Sequence, residues 1–78
     1  MISDYLKEVK KIIEEKTGLE PSEITPESYF EDDLNLGEME LLEILNELEE
    51  KYHTELVNKK DDMETIEDLI DILSEQIE

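Results

Sequence analysis

The sequence predicts an all-α fold: a four-helix bundle of three long helices and one short one, with a long first loop. Two observations lead there. Apolar residues recur at steps of three and four in three separate stretches, the mark of helices with one buried face. Both prolines, Pro21 and Pro26, fall in the connection between the first and second stretch. Amphipathic helices of this kind cannot bury their apolar stripes singly, so they share a core.

In the first stretch Ile2, Tyr5, Leu6, Val9, Ile12 and Ile13 make one apolar face. Ser3 or Asp4 caps its start, because a side-chain oxygen accepts from the exposed first N–H groups. Gly18 ends it, since glycine takes the left-handed conformation at little cost. Lys7, Lys10, Lys11 and Lys16 carry four of the seven positive charges, placed to offset neighbouring acids and the helix dipole. Residues 18–37 then form a connection anchored by Leu19, Ile24, Tyr29, Phe30, Leu34 and Leu36. A connection of that length is expected to pack on the helical body.

The second helix begins near Asn35–Glu38. Asn35 with Glu38 has capping-box spacing, and Gly37 is an equally good cap. Met39, Leu42, Leu45, Leu48 and Tyr52 are its expected inward stripe; Leu41 and Ile44 either widen that stripe or form a small exposed apolar spot. After Leu56 and Val57, Met63 anchors one short helical turn. Thr65 with Asp68 starts the last helix, which carries Ile66, Leu69, Ile70, Leu73 and Ile77.

Residues 1–78 are expected to be one domain, the size at which a single core suffices. There are 25 acidic residues against 7 basic ones, a formal charge of −18. A phosphate backbone or an anionic membrane surface is repelled by such a chain. The fitting partners are proteins with basic patches, approached by electrostatic steering. The absence of cysteine excludes a thiol nucleophile or a zinc–thiolate site. With no apolar run of about 20 residues and no signal-peptide pattern at the start, the expectation is a soluble cytoplasmic monomer.

Residues 30–52 run Phe30-Glu31-Asp32-Asp33-Leu34-Asn35-Leu36-Gly37-Glu38-Met39 and on through an acidic helix to Tyr52. This stretch resembles the core motif of the acyl carrier proteins, in which an aromatic residue, acids and Leu-Gly precede Asp-Ser-Leu at the start of helix II. The likeness extends upstream through Gly18-Leu19 and Thr25-Pro26 to Phe30, and covers nearly the whole chain, from Val9–Ile13 to Thr65–Ile70. It implies a four-helix bundle that carries 4′-phosphopantetheine on the helix II serine and docks through an acidic helix II. Here Gly37-Glu38-Met39 stands in place of Asp-Ser-Leu, so Glu38 matches the attachment serine and Gly37 the aspartate before it. Met39 matches the leucine that contacts partners and the arm. Glu40, Glu43, Glu49 and Glu50 match acidic docking positions, and Asn46 stands where an exposed methionine is common. A glutamate cannot accept the arm, so no cofactor is expected.

Other hydroxyls are poor substitutes. Ser28 lies ten positions upstream in the loop, and Thr54 and Thr65 are expected at the far end of the helical body. Glu38 has two readings: an acid favoured by the helix dipole, contributing about 0.3–1 kcal/mol, or a charge that imitates the phosphate. Glu31-Asp32-Asp33 reads better as a solvated run than as a cation site, since calcium-loop spacing is absent. His53 reads as a cation near the end of the second helix rather than a ligand or base. No catalytic or metal-binding residues are assigned, and an enzyme is the least expected class. The reading is a binding module that docks Glu38, Met39, Glu40, Leu41, Glu43, Glu47 and Glu50 onto a basic partner, such as a fatty-acid or polyketide enzyme. The alternatives are a genuine carrier whose serine is substituted here, and an unrelated acidic helical inhibitor or mimic.

Overall fold

The computed structural model describes residues 2–77, leaving aside the side chains of Ile2 and Ser3. The roles expected of those two, on the apolar face and as a cap, therefore lie outside the described residues. Helix α1 spans Ile2–Thr17, α2 spans Glu38–Tyr52 and α3 spans Ile66–Ile77. A 3-10 turn at Pro21–Glu23 lies in the first connection and a 3-10 helix at Val57–Asp62 in the second. The all-α bundle of three long helices and one short one is thus observed, the short one in the tighter 3-10 form. Spacing gave no sign of the turn at Pro21–Glu23.

Helix α1 packs against both α2 and α3. It contributes Tyr5, Val9, Ile12 and Ile13 to a core completed by Leu45 and Leu48 of α2 and Leu69 and Leu73 of α3. Ile24, Phe30, Leu34 and Leu36 of the long loop are buried in the same core, as are Leu56 and Met63. Tyr5 meets Tyr52 edge to face at 5.7 Å. Burial, and after it the Glu8 carboxylate, raises the pKa of the Tyr52 phenol above its ordinary value.

Helix α1 ends where glycine permits it. Gly18 sits at φ +83° and its N–H donates to the Glu14 carbonyl at 2.9 Å. The Thr17 hydroxyl donates to the Ile13 carbonyl and accepts from the Leu19 N–H, tightening the exit.

The long loop is stitched to the start of α3. An isolated antiparallel bridge joins Tyr29 to Thr65, and the Phe30 N–H donates to the Glu64 carbonyl at 2.9 Å. The first four N–H groups of a helix lack partners within it. In α3, counting the cap residue Thr65, all four find one: Thr65 donates to the Asp68 carboxylate, Ile66 to the Ser28 carbonyl, Glu67 to the Pro26 carbonyl and Asp68 to the Thr65 hydroxyl. The Asp68 carboxylate returns the contact by accepting from the Glu64 and Thr65 N–H groups. Those bonds, the Glu64 one foremost, hold the Asp68 carboxyl below the usual carboxylate range. Thr65 with Asp68 starts the helix as expected.

Two expectations are corrected. The inward stripe of α2 is Leu41, Ile44, Leu45 and Leu48, not one beginning at Met39, which is 75% exposed. Apolar residues occur on more than one face of α2, and packing in the shared core selects the face holding Ile44. Thr65 is not at the far end of the body, because its bridge to Tyr29 draws it towards the start of α2.

Candidate functional site

Helix α2 emerges from Gly37, which takes an extended conformation at the N-cap. Glycine has no side chain to cap with, and the helix start has no side-chain cap bond. Only the return contact forms: the Gly37 N–H donates to Glu40 Oε1 at 3.0 Å. The Glu40 carboxylate is therefore occupied in fixing the entry angle of α2. Glu38 opens the helix with its side chain 73% exposed, and Met39 follows it into solvent. An acid in this first turn is favoured by the dipole.

The remaining acids of α2 divide by what they touch. Glu43 and Glu50 are exposed. Glu47 lies 3.9 Å from Lys16 of α1, and Lys51 pairs with Glu8 at 3.1 Å. Glu49, matched by resemblance to a docking position, is turned to a structural task. Its Oε2 accepts from the Leu56 N–H at 2.6 Å and the Val57 N–H at 2.9 Å, tying the second connection to the helix end. Leu41 is buried in the core at 9% exposed. His53 is the C-cap in the left-handed conformation, its N–H donating to the Glu49 carbonyl.

Beside the start of α2 lies an open cleft of about 420 Å³. Phe30, Leu36, Leu41 and Met63, all buried in the core, form its apolar part. Carboxylates rim it, and Lys60 of the second 3-10 helix reaches across so that its Nζ lies 3.6 Å from Glu38 Oε1. Tyr29, 45% exposed, lines it too. Sequence spacing identified neither Lys60 nor Tyr29, since the chain brings them here only by folding the two connections onto one end of α2.

The other acids and hydroxyls are accounted for locally. Asp33 accepts from the Tyr29 N–H at 2.8 Å, so part of the 31–33 run closes a turn. Among the described residues no three acids or histidines are grouped to hold a metal ion. Ser28 is buried, accepts from the Thr25 N–H and shares a hydrogen bond with the Thr25 hydroxyl. The Thr65 hydroxyl caps α3. Thr54 Oγ1 is buried beyond the opposite end of α2.

No family model matches the chain. It is 52% identical over 44 residues to the meromycolate extension acyl carrier protein of Mycobacterium leprae, a match covering 56% of this chain and 38% of that one. It is 30% identical over 73 residues to the acyl carrier protein of Rubrobacter xylanophilus, covering 92% of this chain and 90% of that protein. This chain belongs to the acyl carrier protein family. A further acyl carrier protein, from Thermosynechococcus vestitus, is 26% identical over 76 residues. Against the Mycobacterium leprae protein, the match spans well under half of its length.

The prosthetic arm of the family is joined as a phosphodiester to a hydroxyl oxygen. Position 38 of this chain, the first residue of α2, carries a carboxylate that faces Lys60.

Proposed function

We propose that this chain is a docking module without the prosthetic arm, binding a cytoplasmic partner that presents a basic patch. It is no enzyme in this reading, and the partner is a protein such as a fatty-acid or polyketide enzyme. The observation that carries the proposal is Glu38, a 73% exposed carboxylate on the first residue of α2 where the family's attachment serine is expected. Met39 beside it supplies the exposed apolar contact, and Glu43, Glu47 and Glu50 extend the negative face along the helix. Glu40 and Leu41, which lines the cleft beside Glu38, frame the same end. Charge complementarity of this kind speeds encounter and weakens with salt.

The test is incubation with a phosphopantetheinyl transferase and coenzyme A, followed by intact-mass measurement. The chain is expected to stay unmodified, while Glu38→Ser, which supplies a hydroxyl at an exposed helix start, gains one arm. A mass gain in the unaltered chain would instead make it a working carrier loaded at another hydroxyl.

A further inference from the structure

We infer that Lys60 is a built-in competitor at the docking site, holding Glu38 until a lysine or arginine of the partner displaces it. The inference rests on the docking reading above and adds how that site is regulated. Lys60 lies in the 3-10 helix Val57–Asp62, remote in sequence from Glu38, yet its ammonium stands 3.6 Å from the Glu38 carboxylate. The two partners differ in exposure. The lysine side chain is only 25% exposed, lying along the cleft, whereas the carboxylate is 73% exposed and open to approach from solvent. Among the described residues lining the cleft, Lys60 is the one cation, set against Glu31, Asp32, Glu38, Asp61 and Glu64.

The occupant that this cleft takes is thus displayed by the chain itself: a cation among the residues that line it, with its charge at Glu38. A partner's basic side chain satisfies the same contacts and competes for the same oxygen. An exposed pair of this sort shifts an equilibrium by about two- to fivefold, weak enough to be displaced and strong enough to bias the free state. Lys59 provides an internal comparison, being the adjacent lysine of the same 3-10 helix and exposed.

The experiment titrates the full chain with a synthetic amphipathic peptide bearing arginines on one face, at low salt, with affinity read by calorimetry. Lys60→Met and Lys59→Met remove the same charge, so a general electrostatic gain is common to both. Lys60→Met is expected to bind about two- to fivefold more tightly than Lys59→Met, and the difference should vanish on a Glu38→Gln background. Equal affinities for the two lysine variants, with binding still weakened by Glu38→Gln, would overturn the competitor while leaving docking intact. No binding by any variant, or binding indifferent to Glu38→Gln, would overturn the docking reading at this site and the competitor with it.

Discussion

Truncating Glu49 to alanine separates a structural acid from the docking acids around it. Its carboxylate accepts from two backbone N–H groups, of Leu56 and Val57, at 2.6 and 2.9 Å. Leu56 is fully buried, so its N–H gains little from water once the carboxylate is gone. A hydrogen bond to a charged group contributes about 1.5–3 kcal/mol net. The two bonds share one oxygen, and removing one acid from a chain of charge −18 relieves some repulsion. A loss of about 2 kcal/mol is therefore expected for Glu49→Ala. In a domain of this size each kcal/mol moves Tm by about 4–8 °C, so the melt should fall by about 8–16 °C. Glu50→Ala removes the same charge from an exposed neighbour and should change stability by no more than about 0.5 kcal/mol. Thermal and urea unfolding followed by circular dichroism make the comparison. If the two variants melt within about 2 °C of each other, the account of Glu49 as the clamp on the second connection is wrong.

Two further outcomes follow from the packing and the caps. Ile44→Ala should cost about 2–5 kcal/mol in urea unfolding, while Met39→Ala should stay within about 0.5 kcal/mol, because the former empties a fully packed site and the latter touches solvent. Asp68→Ala should destabilise by about 0.5–2 kcal/mol near neutral pH through loss of the α3 cap. Since the folded Asp68 carboxyl sits below its ordinary value, its contribution is complete above the unfolded carboxylate pKa and disappears as pH falls through the folded one. The gap between Asp68→Ala and the parent should accordingly narrow in unfolding measurements taken towards about pH 3, and a gap constant with pH would refute it.

The three long helices were legible because their evidence is local. Val9, Ile12 and Ile13, or Ile66, Leu69, Ile70 and Leu73, leave one possible buried face, and Gly18 and Thr65 mark ends by their own conformational chemistry. Helix α2 was legible as a helix but not in its rotation. Its apolar residues at 39, 41, 42, 44, 45, 48 and 52 support more than one stripe, and only tertiary packing decides between them. At the site, Glu38 and Met39 were identified from a motif at the start of one helix, and both stand exposed there. Glu49 matched a docking position by place in the motif, yet the backbone it serves is seven and eight residues away and reaches it only through a turn. Lys60 is harder still, since an ion pair between the second connection and the start of a helix leaves no periodic trace in the chain.

The carbonyls of Pro26 and Ser28, spent on the opening N–H groups of α3, change what the longest non-helical segment is able to tolerate. A protease needs several consecutive residues drawn out straight, and this stretch cannot be drawn out without uncapping a helix about forty positions later in the chain. Grafted tags or inserted peptides placed between residues 25 and 30 would carry the same penalty. The permissive place for them is nearer Glu20–Glu23, where the backbone bonds are short-range and the side chains face water.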